Sequence, residues 1–133
     1  MDTSPNDIRW KQRFENFEKS YKLLEKYHNQ DTPSEIEKAG IVQFFEMTFE
    51  LAWKVQKDYL EAQGYLVKSP RETIKQAFQF GLIEDGHVWM DALSKRNLST
   101  HTYDEAFAEK FVEEIKHVYF PAFRSLYEKL LKE

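Results

Sequence analysis

The sequence predicts an all-α protein, an up-and-down bundle of three long and two short helices, and three observations carry that prediction. Apolar residues recur at spacings of three and four along most of the 133 residues. Only four glycines and four prolines occur, and most fall where one periodic stretch gives way to the next. No stretch keeps the period-two alternation that a half-buried strand requires.

The first helix runs from Asp7 to about Asn29, where Trp10, Phe14, Phe17, Tyr21, Leu24 and His28 form one stripe. Asn29-Gln30-Asp31-Thr32-Pro33 reads as a turn, after which Ser34 caps a second helix and Glu37 completes a capping box. That helix, about Glu35 to Gln63, carries a wide apolar face of Ile41, Phe44, Phe45, Thr48, Phe49, Ala52, Val55 and Tyr59. Gly64 is placed to close it. Ser69-Pro70-Arg71-Glu72 combines an N-cap, a proline at the first helical position and a capping-box acid. Ile74, Ala77 and Phe78 face the core of this short third helix before Gly81 stops it.

Asp85 or Gly86 opens a fourth helix with Val88, Trp89, Ala92 and Leu93 inward, and Lys95-Arg96 sit at the negative end of its dipole. Thr102 and Glu105 make a further capping box for a final long helix. Its buried side is Phe107, Phe111, Ile115, Val118, Phe123, Leu126 and Leu130. Pro121 lies inside it and removes the bond to the His117 carbonyl, so a kink is expected there.

Composition bounds the rest. The length fits one domain spanning residues 1–133, and 41% hydrophobic with 32% charged residues is neither a disordered tail nor a membrane protein. Aromatic residues make up 16%, enough for large rings to fill much of a small interior. With no cysteine there are no disulfides, thiolate metal sites or cysteine nucleophiles. No apolar run approaches the roughly 20 residues of a membrane span, and no signal-peptide apolar region opens the chain, so a cytoplasmic protein is expected. The net charge of −4 argues against broad nucleic-acid coating. Residues 65–101, however, hold five basic and four acidic side chains, which leaves room for a compact phosphate site.

Phosphate-binding glycine loops, His-Glu-x-x-His and EF-hand patterns are absent. Glu84/His87 and Glu114/His117 have the Glu-x-x-His spacing of di-metal bundles. The first pair straddles Gly86 at a helix start, and His117 sits roughly 150° from the core direction at ~100° per residue. No metal and no cofactor is expected.

The informative stretch is Lys95 to Glu105, a polar connection between two helices. Arg96 offers a planar cationic fork for a phosphate, and His101 an imidazole that can take or give a proton. Tyr103 adds a hydroxyl and Asn97 a bifunctional amide. The same residues have ordinary structural roles: Arg96 as a helix-end cation, Asn97 as a turn residue, His101 and Tyr103 as surface side chains. On the second helix, Glu50, Trp53 and Lys54 read either as a ligand-stacking wall or, more commonly, as a core ring with a polar edge. Lys68, Arg71 and Lys75 cluster at the third helix, where a solvated face is the ordinary reading.

Arg96-Asn97-x-x-x-His101 matches the Arg-x4-6-His signature of the HEPN superfamily of all-α bundles, and its extension through Tyr103 resembles the toxin member of HEPN/minimal-nucleotidyltransferase pairs. The run Phe49-Glu50-Leu51-Ala52-Trp53-Lys54, the Ser69-Pro70-Arg71 helix start and Asp104-Glu105 resemble one branch, the nucleotidyltransferase substrate-binding protein family. The resemblance implies a homodimer or higher homo-oligomer that binds a separately encoded minimal nucleotidyltransferase and helps hold its RNA or nucleotide substrate. In the related toxin–antitoxin pairs it implies a metal-independent ribonuclease, silenced when the partner transfers adenylate to the motif tyrosine. Carried over, Arg96 stabilises phosphate, His101 is the acid or base, Tyr103 accepts AMP and Asn97 orients the loop; Glu50 and Trp53, from the side-chain reading of the second helix and not from the resemblance, are kept as candidate substrate contacts.

Overall fold

The computed structural model describes residues 4–133, which form helices and no strand. Ser4 accepts from the Asp7 amide and starts α1 (Pro5–Tyr27). The Ser34/Glu37 capping box is made in both directions at the start of α2 (Glu35–Ala62). Gly64, at φ 95°, then ends α2: Tyr65 donates to the Leu60 carbonyl at 2.9 Å and Gly64 to that of Glu61 at 3.0 Å. Only a residue free to enter the left-handed region closes a helix with this bond pair at low cost.

The two long helices lie antiparallel. Arg13 meets Asp58, Ser20 meets Thr48 and Tyr27 packs on Phe44, so partner numbers fall along α2 as they rise along α1. These contacts also satisfy the polar groups the interface buries. Asp58 is 4% exposed and its carboxylate accepts from Arg13 Nε at 2.9 Å, while the Ser20 and Thr48 hydroxyls pair at 2.7 Å.

Two short helices follow, α3 (Pro70–Phe80) and α4 (Gly86–Arg96), capped by Ser69 and Asp85. Ser69 accepts from Glu72 as expected, but Glu72 reaches back to the Lys68 amide, one residue beyond the expected capping-box donor. Phe78 also departs from expectation, being 53% exposed. Its ring rests on Gly86, where no side chain completes the cover.

The last helical rod is assembled from α5 (Glu105–Glu114), a π-helical turn (Ile115–Tyr119) and α6 (Phe120–Leu131). Its cap is Asp104, which accepts from Phe107 at 3.1 Å; the expected Thr102/Glu105 box is not formed. A 3₁₀ turn over Ser99–His101 uses up the intervening backbone, and the His101 carbonyl accepts from the Asp104 amide, delaying the helix by two residues. The irregularity expected at Pro121 is taken up before it: Phe120 donates to the Ile115 carbonyl across the wider π turn. That extra residue rotates the following face by roughly 100°. Tyr119 and Phe120 therefore enter the core and Val118 is 39% exposed, reversing its expected orientation.

Aromatic residues fill the interior. Phe45 contacts the rings of Phe49, Phe111, Tyr119 and Phe123, tying α2 to both halves of the last rod. Tyr21 stacks on Tyr127 at 4.4 Å and on Phe120 at 5.3 Å, closing α1 against α6. Burial of each ring contributes roughly 1.5–3 kcal/mol, so these clusters hold the bundle together.

Candidate functional site

The polar connection between α4 and α5 is anchored to α2 by two carboxylates one helical turn apart. Arg96 Nη1 donates to Glu50 Oε2 at 2.6 Å, and the guanidinium lies 5.8 Å from the Phe49 ring centre. Ser99, 6% exposed, donates from its hydroxyl to Glu46 Oε1 at 2.5 Å. Glu46 was not among the expected site residues. Its spacing of four from Glu50 puts both on one face of α2, which is the signal available beforehand.

Lys95 and Arg96 leave the last turn of α4 for different neighbours. Lys95 lies 3.2 Å from Glu114 on α5, while Arg96 reaches α2. Glu114 and Asp91 both accept from the Tyr119 hydroxyl, whose burial beside two carboxylates raises its pKa far above the ordinary phenol range. The C-terminal end of α4 is thus held from two sides, and Arg96 is delivered to Glu50 by packing of α4 as a whole.

His101 and Tyr103 lie on the outer side of the connection. The His101 Nδ1 and Tyr103 Oη are 3.4 Å apart, at the long limit of a hydrogen bond, and the imidazole meets the Phe107 ring edge-on at 6.3 Å. Tyr103 is 84% exposed. With Thr102 it lines a shallow cavity of about 140 Å³ that also touches Lys38 and Ala39 in the first turns of α2.

The expected site residues therefore form two pairs, Arg96 with Glu50 and His101 with Tyr103. No hydrogen bond joins the pairs among the described residues. Asn97 is the exposed C-cap of α4, its amide donating to the Ser94 carbonyl at 3.2 Å. Trp53 packs partly into the core and its buried Nε1 has no partner among the described residues. His117 is exposed and 3.2 Å from Glu113, and no three His, Asp or Glu side chains gather as a metal site among the described residues.

Chemically, Arg96 commits one Nη1–H to Glu50, and its remaining guanidinium N–H groups can meet a phosphate only beside that carboxylate charge. His101, unlike Arg96, is open to solvent and can move a proton at the Tyr103 oxygen or at an incoming hydroxyl.

Comparison with known proteins adds a second line of observation. Residues 12–132 match the family model described as nucleotidyltransferase substrate binding protein like. A crystal structure from Thermus thermophilus superposes with a TM-score of 0.75 at 30% identity, covering 87% of this chain and 96% of that one. A Haemophilus influenzae structure, described as revealing the fold of a substrate binding domain of a nucleotidyltransferase, has a TM-score of 0.67 at 24% identity and covers 93% and 98%. The latter likeness is one of fold. A curated Haemophilus influenzae relative named probable ribonuclease HepT is 32% identical over 72 residues, 50% of this chain. The match spans about half of that relative's length (49%). No helix among the described residues is long and apolar enough to cross a membrane.

Proposed function

The chain belongs to the nucleotidyltransferase substrate-binding-protein-like family, and from that premise we propose that it is the helical partner of a separately encoded minimal nucleotidyltransferase. It docks that enzyme as a homodimer or higher homo-oligomer and helps hold the substrate, in a two-protein system of the toxin–antitoxin kind. The observation that carries this reading is the contrast between Arg96 and Tyr103. The guanidinium is paired with Glu50 through Nη1, while the phenol is 84% exposed beside His101 and free to be presented.

In this role Tyr103 is the acceptor of adenylate. Its oxygen attacks the α-phosphorus of ATP, the bond to pyrophosphate breaks, and His101 receives the phenolic proton. Co-expression with the neighbouring nucleotidyltransferase tests the reading. A co-eluting complex and one added adenylate per modified Tyr103, absent from Tyr103→Phe, are expected. A strictly monomeric protein that never captures the enzyme overturns it.

The relative named probable ribonuclease supports a second reading, a metal-independent endoribonuclease. Here a ribose 2′-hydroxyl attacks the adjacent phosphorus, His101 takes its proton, the 5′-oxygen leaves with the bonding electron pair and takes a proton from water, and a 2′,3′-cyclic phosphate forms. Arg96, released from Glu50, neutralises the phosphorane. His101→Ala removes cleavage while the fold survives; unchanged cleavage overturns this reading.

A further inference from the structure

Lys68, Arg71 and Lys75 play no part in either reading, yet α3 and the start of α4 enclose a groove of about 540 Å³ beside two of them. Arg71, Lys75 and Phe78 are spaced by four and three, so they share one face of α3. Phe78 is the large exposed apolar side chain of this groove, at 53%. Its Cγ and Cδ1 lie 3.6 and 3.7 Å from the position a Cβ would take on Gly86, so bare backbone supports the ring and leaves its outer side open. Ile74, fully buried, and Met90, partly buried, line the groove with it.

The charges around the groove are unequal in their commitments. Arg71 donates to the Met90 sulfur at 3.8 Å, and neither Arg71 nor Lys75 has a carboxylate partner among the described residues. On the opposite rim, Asp85 accepts from the His87 and Val88 amides and Glu84 faces Lys129. The first-turn amides of α4 are therefore occupied by Asp85, and the available positive charge belongs to α3.

We infer that this groove binds a nucleoside phosphate, its base stacked on Phe78 and its phosphates held by Arg71 and Lys75. An exposed ring supplies a platform that every base can use, and two unpaired cations supply what the phosphates need. The volume falls in the range of roughly 300–1,000 Å³ typical of small-ligand sites. A whole nucleic-acid strand needs a longer basic track than a chain of net charge −4 provides. A docked amphipathic helix needs large anchors over successive turns, whereas here one exposed ring stands alone. The groove lies at the far end of α4 from Arg96, roughly 15 Å along the axis at 1.5 Å per residue, so the inference does not rest on either reading of the Arg96 site.

Equilibrium dialysis of the full chain with ATP, in parallel with tripolyphosphate, tests it. Saturable ATP binding is expected, weakened about tenfold or more in Phe78→Ala, as loss of a base–aromatic stack implies. The pair Arg71→Glu/Lys75→Glu should abolish binding. Phe78→Leu keeps the apolar contact with Gly86 and is read in place of Phe78→Ala should circular dichroism report a lost fold. Absence of saturable ATP binding, equal binding of tripolyphosphate, or binding that survives the Phe78 and the charge variants overturns the inference. So does capture of an oligoribonucleotide or of the nucleotidyltransferase through these residues by a chain that does not bind ATP.

Discussion

Arg96 and Glu50 stand 46 positions apart in the chain and form a 2.6 Å charge-assisted hydrogen bond between the end of α4 and the middle of α2. The side chains are 26% and 39% exposed, so solvent screens the pair and its contribution to stability is small, about 1 kcal/mol or less. Its larger consequence lies in the proposed function, where it sets the terms on which the guanidinium would meet a phosphate.

Glu50→Gln keeps an acceptor near Arg96 and removes the competing charge. We expect it to raise affinity for a short oligoribonucleotide several-fold, with a steeper salt dependence, while the thermal midpoint moves by only a few degrees. Filter binding across a salt series measures the first effect and a melting curve the second. Unchanged affinity in Glu50→Gln would mean that the ion pair does not gate Arg96.

The Ser99 contact positions the loop in a different way. Ser99→Ala removes a buried donor to the Glu46 carboxylate, an interaction expected to be worth about 1–2 kcal/mol. Amide exchange over residues 99–104 should accelerate, because these turns have few other anchors. Exchange indistinguishable from the parent protein would remove Glu46 from the site.

Stability should fall in alkaline solution through two identified phenols. Tyr59 donates to Glu133 and Tyr127 to Glu18. Burial chiefly raises the pKa of Tyr59, and the Glu18 bond chiefly that of Tyr127, each to about 12 from the usual 10.0. Because the folded pKa is the higher one, the stabilisation is complete below about pH 10 and is lost as pH rises toward 12. Urea midpoints between pH 8 and 12 should drop over that interval, and Tyr59→Phe/Tyr127→Phe should flatten the drop.

Gln56 is fully buried, and neither atom of its amide has a partner among the described residues. Replacing it with the similarly sized Met removes an unsatisfied polar group without opening a cavity, and should stabilise the protein by about 1 kcal/mol. A higher urea midpoint for Gln56→Met is the expected result. A lower one would reveal that the amide is hydrogen-bonded to an internal water.

Much of the architecture was legible because its causes are local. Ser34 with Glu37, Gly64 and Gly81 mark helix ends through bonds made within a few residues, and the stripe from Trp10 to Leu24 needs only the helical period to define a face. The errors arise where distant packing selects among local options. Thr102 and Asp104 are both competent caps, and the Ser99–His101 turn, anchored by Glu46, selects Asp104. Val118 obeys the helical period, but a π turn that accommodates Pro121 moves Tyr119 into its place.

The candidate site divides in the same way. Sequence spacing was enough to bring His101 beside Tyr103, since two residues on one turn cannot separate far. It was also enough to put Glu46 and Glu50 on one face of α2. That this face receives Ser99 and Arg96, leaving His101 outside and Phe78 uncovered over Gly86, depends on how α3 and α4 settle against α2. Contacts across about 50 residues come from packing rigid helices against one another, and the period of a single helix contains no information about its neighbour's position.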